Sequence, residues 1–405
     1  MSTPTPTPGS TSRASDRVQP ATMGPADELL DPRRRDLITM LSHVMDVSVI
    51  DSIGWACLWF ADLSVIEALI KAAEQFPLAF PNVAGDSLSN SERRTKAIRA
   101  WAVRAGSEDS GEPSEDEATE TDESPTKKRR LNPDPRRTSK IPKWIGIQSA
   151  QRPLRASSSV TTSSSIRASS LSLGGSASRA EKLCQERDDD TCILTGCSIP
   201  IEVAHIFPRS LGKKREEGFK HFWKALRCFW TPQQVEAWKE PVLGPDGVET
   251  CSNLMCMTNL AQELWGKAVF ALRPLSLSED KRHLEVQFYW LPMNKYRRTM
   301  SVTAVPEPFP CNLSSTNDTY KTVLWNMATD TRVCSGDILT FKTDDPVGHP
   351  LPSMELLDMQ WILHRVLALS GAANATNKEL LPDHAFGVYK EDSDWNSEME
   401  VEEEE

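Results

Sequence analysis

Between residues 106 and 180 the chain offers almost nothing to bury. The stretch is rich in Ser and broken into blocks of like charge. Residues 107–124 hold nine acids and no base, and residues 125–180 hold twelve bases against one acid. Such a composition cannot offset the entropy of ordering, so 106–180 is expected to be a disordered linker. The same holds for 1–27, rich in Ser, Thr and Pro, and for the acidic tail 386–405. Two segments remain that can build a core: a helical region over 28–105 and a second domain over 181–385.

The formal net charge of −11 is misleading. Residues 390–405 add nine acids and one lysine, and without the two acidic blocks 45 bases face 39 acids. The chain is acidic in its tails and basic in one linker. A basic linker suits nucleic acid or an import receptor. Lys127, Lys128, Arg129 and Arg130, followed after a short Pro-containing spacer by Arg136 and Arg137, read as a bipartite nuclear import signal. The expected location is the nucleus, with an import receptor as a partner. The acidic blocks read as solubilising tails, or as a surface for basic partners such as histones.

Nine cysteines occur, with no apolar segment near residue 1 that reads as a signal peptide. No run of ~18 apolar residues suggests a transmembrane helix, and no membrane partner is expected. The cysteines are therefore expected to be reduced, in an intracellular protein.

Local signals place the elements. Asp31-Pro32 starts a helix, an N-cap followed by proline in the first turn. A second apolar run covers Val47 to Phe60, a third helix Val65 to Phe76, and a fourth carries Ile98 and Trp101. In the second domain Ala180 to Arg187 reads as a short helix, and Ile199 to Ile206 as a strand after the Thr195-Gly196 turn. An insertion over 209–250 carries Phe219, Phe222, Trp223, Phe229, Trp230 and Trp238 at helical spacing, which reads as core. Leu254 to Met257 is a second strand, and Thr258 or Asn259 caps the helix that carries Gln262 and Trp265. Val269 to Leu272 and Leu284 to Leu291 read as strands, with Val286, Phe288 and Trp290 alternating with Gln287 and Tyr289. Leu351 to Leu369 is a final helix that Gly371 ends. The fold class is α+β.

The informative pieces are Cys192-Ile-Leu-Thr-Gly196, Glu202-Val-Ala-His-Ile206, Asn253-Leu-Met-Cys256, Trp265 and Phe270-Ala-Leu-Arg-Pro274. Further on stand Gln287-Phe-Tyr-Trp290, Leu351-Pro-Ser-Met-Glu355 and Leu369-Ser-Gly-Ala-Ala373. Together they resemble the HNH endonuclease superfamily, in particular HNH-domain proteins of filamentous fungi, over about 180–375. The resemblance implies a ββα-metal core with a helical insertion and a C-terminal helix. It implies metal-dependent hydrolysis of phosphodiester bonds in DNA or another nucleic acid, with Mg or Zn as the divalent ion. His205 matches the general base and Asn253 the residue that orients the base or pins the loop. The base takes a proton from water while the cation stabilises charge on the phosphate.

The chain departs from that pattern at the metal. Gln262 stands where the helix histidine is expected, Gly266 where an aspartate is common, and Ala204 before His205 offers no ligand. Glu202 is the other candidate ligand, yet strand alternation puts it on the opposite face from His205. A glutamine carbonyl is a weak neutral ligand for a divalent ion. Two readings stay open: a nuclease with a degenerate metal site, or a fold kept to bind nucleic acid or protein without metal. Cys192, Cys197, Cys251 and Cys256 also leave two readings, buried free thiols or a structural zinc site.

Overall fold

The structure, a computed structural model, describes residues 24–75, 98, 101, 178–212, 216–315, 322–375 and 379. The import signal at Lys127, Lys128, Arg129, Arg130, Arg136 and Arg137, and both acidic blocks, lie outside the described residues. Asp31 accepts the Arg33 N–H at 2.9 Å and starts α1, Pro32–Val44, with proline in its first turn. The apolar run that follows divides into β1, Val49–Asp51, and α2, Ser52–Phe60. Asp51 marks the division, because its carboxylate accepts the Gly54 N–H at 2.8 Å and caps α2. Every residue of α2 is buried, so this helix is apolar all round and enclosed on all sides. Helix α3 spans Leu63–Gln75. Of the fourth expected helix, Ile98 and Trp101 are described; both are helical and buried.

Beyond 177, α4 covers Arg179–Arg187, opened by a capping box between Ser178 and Glu181. Strand β2, Ile201–His205, pairs antiparallel with β3, Leu254–Thr258, in the register Ala204 to Met255 and His205 to Leu254. The insertion between them holds α5, Glu216–Leu226, and α6, Pro232–Lys239. Its aromatic residues are core: Phe222, Trp223, Phe229, Trp230 and Trp238 are buried, and Phe207 stacks on Trp223. Thr258 caps α7, Asn259–Gly266, directly after β3. The chain continues into β4, Phe270–Leu277, and β5, His283–Trp290. Short strands follow: β6, Thr299–Ser301, pairs with β1, and β7, Trp325–Asn326, pairs with β8, Thr331–Arg332. Strand β9, Ile338–Lys342, completes an antiparallel sheet in the order β4-β5-β9.

Alternation along β5 alone would leave Gln287 and Tyr289 on a wet face. Both are buried, because the last helix, α8, Met354–Ser370, lies against this sheet. The Trp361 ring of α8 sits 5.4 Å from the Tyr289 ring, and His364 Nδ1 is 2.9 Å from the Phe270 carbonyl. Gly371 ends α8 at φ 75°, where a Cβ would come within 2.5 Å of the Lys295 backbone, so both conformation and space require glycine.

The two segments expected to fold share one core. The described residues of 24–101 and of 178–379 fall in a single compact unit. Trp101 stacks on Phe222 of α5, and the Trp230 indole N–H donates to the Phe60 carbonyl at 3.2 Å. Arg365 of α8, fully buried, donates to both carboxylate oxygens of Glu28 at 2.9 Å and lies over the Phe60 and Trp361 rings. Helix α8 therefore packs on the N-terminal helices as well as on the domain that contains it. The fold is α+β, with small sheets among helices.

Candidate functional site

The β2-β3 hairpin has two unlike faces. On one, Ala204, Met255 and Met257 join the large core that also takes in Ala261 and Trp265 of α7. On the other, Val203, Leu254 and Cys256 pack with Ala180 and Cys184 of α4. The register puts His205 with Leu254, on the α4 side. Glu202 shares its face with Ala204 and is exposed, so it stands apart from the His205 ring.

His205 is held at several points. The Trp265 indole N–H donates to its backbone carbonyl at 3.3 Å. Its Nε2 lies 3.3 Å from Glu249 Oε1, and the same oxygen accepts from Arg209 Nε at 2.7 Å. Arg209 also reaches Glu181 of α4 at 3.8 Å. A proton on Nε2 shared with Glu249 leaves Nδ1 as the acceptor nitrogen. Burial pushes the imidazole below its ordinary pKa; the Arg209 charge adds to that, while Glu249 opposes it. That shift favours the neutral ring, the form a base requires.

Asn253, fully buried, is a clamp. Its Oδ1 accepts the Phe207 N–H at 2.7 Å, and its Nδ2 donates to the Phe207 carbonyl at 3.0 Å and the Val248 carbonyl at 2.9 Å. One side chain thereby ties the exit of β2 to the turn before β3. That turn carries Glu249, so the asparagine positions the partner of His205 without touching the imidazole.

Gln262 sits on α7, and its Oε1 is buried with no hydrogen-bond partner. Glu249 Oε2 is in the same condition. Ala204 brings a methyl group and Gly266 no side chain, so the helix side of the hairpin offers a divalent ion one neutral oxygen. Among the described residues, neither His205 nor Glu249 belongs to a convergent group of three ionisable ligands.

The cysteines divide differently from the set Cys192, Cys197, Cys251 and Cys256. Cys192 and Cys197 lie with the large core, while Cys251 and Cys256 lie behind the hairpin with Cys184. The group that does converge is Cys184, Asp188 and Cys256. Beside it Arg187 is buried, donating to Asp188, to the Cys184 sulfur, and to the carbonyls of Cys251, Leu254 and Pro350. Sequence reasoning missed Glu249, Arg209, Arg187 and Asp188. Only the spacing of Cys184 and Asp188, four apart on one helical face, gave a sign of the cluster.

No curated protein and no solved structure matches the chain. The family model described as HNH endonuclease matches residues 192–273, from the turn ahead of β2 into β4, and takes in His205, Asn253 and Gln262. Over these residues the chain is similar to the HNH endonucleases.

Proposed function

We propose that the chain is an HNH nuclease-like protein of the nucleus, with the base half of its site intact and the metal half lost, and that it engages DNA with little or no hydrolysis. The hairpin and α7 stand as the ββα unit of this reading. One observation carries it: Ala204, Gln262 and Gly266 supply a single neutral oxygen where HNH domains generally hold a divalent metal. Magnesium prefers carboxylates and phosphate oxygens, and zinc prefers imidazole or thiolate, so this donor set fits neither.

The chain's own residues keep a different capacity. Neutral His205, fixed by Glu249 and the Trp265 bond, can accept a proton at Nδ1. Arg209 beside it bears a charge suited to a phosphate. Nuclear import rests on Lys127–Arg130 with Arg136 and Arg137, and the basic linker adds a salt-sensitive attraction for DNA.

The test uses the full chain on supercoiled plasmid with Mg, Mn, Zn or Ni, beside His205→Ala, and a gel-shift assay on duplex DNA. The expected result is DNA retention that weakens with salt, and nicking no greater than in His205→Ala. Metal-dependent nicking that His205→Ala abolishes would overturn the reading in favour of an active endonuclease.

A further inference from the structure

Behind the hairpin, on the side away from α7, ligand atoms are plentiful. Cys184 of α4 and Cys256 of β3 hold their sulfurs 3.8 Å apart, and both residues are fully buried. Asp188, one turn after Cys184, brings Oδ2 to 3.7 Å from the Cys184 sulfur. The same oxygen accepts the Cys256 N–H at 2.9 Å, which aims the carboxylate at the pair. The three donor atoms lie within 4.8 Å of one another, and no other group among the described residues does this.

The separation is informative. Two thiolates on one tetrahedral zinc, each ~2.3 Å from the ion, stand ~3.8 Å apart. A disulfide would need the sulfurs at ~2.05 Å. Charge points the same way. Thiolates and a carboxylate gathered in the interior call for cations, and Arg187 already supplies one beside them. Arg187 donates to Asp188 Oδ2 at 2.9 Å and to the Cys184 sulfur at 3.4 Å, contacts that support ligands from outside the coordination sphere.

We propose that Cys184, Cys256 and Asp188 bind a structural zinc ion that fastens α4 to the back of the hairpin, with Cys251 as the source of the fourth ligand. The Cys251 sulfur lies 3.7 Å from the same guanidinium. Zinc is favoured over magnesium or calcium because two of the three donors are sulfur. Its ligands are other residues than His205 and Gln262, so the proposal holds whether or not the protein cleaves DNA.

The test uses the full chain, expressed with added zinc and purified in reductant without chelator. Metal content by plasma mass spectrometry should be about one zinc per chain, as for a closed structural site. Exchange with cobalt(II) should give a thiolate-to-cobalt charge-transfer band. Cys184→Ser and Cys256→Ser should lose both signals, whereas Cys192→Ser and His205→Ala keep them. Removing the ion with a strong chelator should lower the unfolding temperature. Should the serine variants fail to fold, the cobalt spectrum of the unaltered chain decides by itself. A chain with no zinc and no charge-transfer band overturns the proposal, as does zinc that survives in Cys184→Ser or a Cys184–Cys256 disulfide found by thiol counting.

Discussion

The two faces of the β2-β3 hairpin differ in how their polar atoms are satisfied. Behind it, Arg187 is buried among carbonyls, sulfurs and the Asp188 carboxylate, with every nitrogen engaged. On α7, Gln262 Oε1 is buried without a partner. A buried polar group without a hydrogen bond costs ~1–3 kcal/mol, a penalty that Gln262 carries and Arg187 avoids. The hairpin is thus anchored by the Arg187 network, while the Gln262 oxygen has no such support.

The comparison breaks first at Arg187. Arg187→Met strands Asp188 in the interior, and removing one member of a buried pair costs ~3–5 kcal/mol. Urea unfolding of the full chain measures this; a loss below ~1 kcal/mol would show that the back face is not the anchor. Next comes Asn253→Ala, which removes the clamp between Phe207 and Val248 and leaves buried backbone groups unpaired. The expected loss is ~2–3 kcal/mol by the same assay. The front face should respond in the opposite sense. Gln262→Leu removes an unsatisfied oxygen and should be neutral or stabilising by up to ~1 kcal/mol. Destabilisation there would mean that the oxygen has a partner in solution.

The smallest effect is a pH dependence. Burial raises the Glu28 carboxyl, but the charge and hydrogen bonds of Arg365 outweigh it and hold the group below its ordinary value. A depressed carboxylate contributes stability above its unfolded pKa of ~4.3 and loses it as pH falls through the lower folded value. The gap in urea midpoint between the unaltered chain and Glu28→Gln should therefore be full at pH 7 and close below pH ~4. A gap independent of pH would remove the ion pair from the account.

What was legible in the sequence was local. The Asp31-Pro32 start of α1, the Thr258 cap of α7 and the Gly371 end of α8 follow from residues a few positions apart, and so does the strand–strand–helix order around His205. Pairings across long separations left no such mark. Glu28 meets Arg365, and Cys184 meets Cys256, only because the chain folds back on itself. The same limit hid Glu249: its turn carries no periodic signal, and its link to His205 depends on the Asn253 clamp. The shared core of the N-terminal helices and α8 was invisible for a further reason. A helix buried on several sides shows one broad apolar stripe whether one domain or two cover it.

Calorimetric titration of the full chain with Mn reads the metal half of the hairpin site, because Mn favours oxygen ligands over the thiols near α4. The unaltered chain and His205→Ala should give the same weak heat, and Gln262→His should bind more tightly, by ~10-fold or more. Tight binding by the unaltered chain that His205→Ala abolishes would contradict the loss of the metal half of the site.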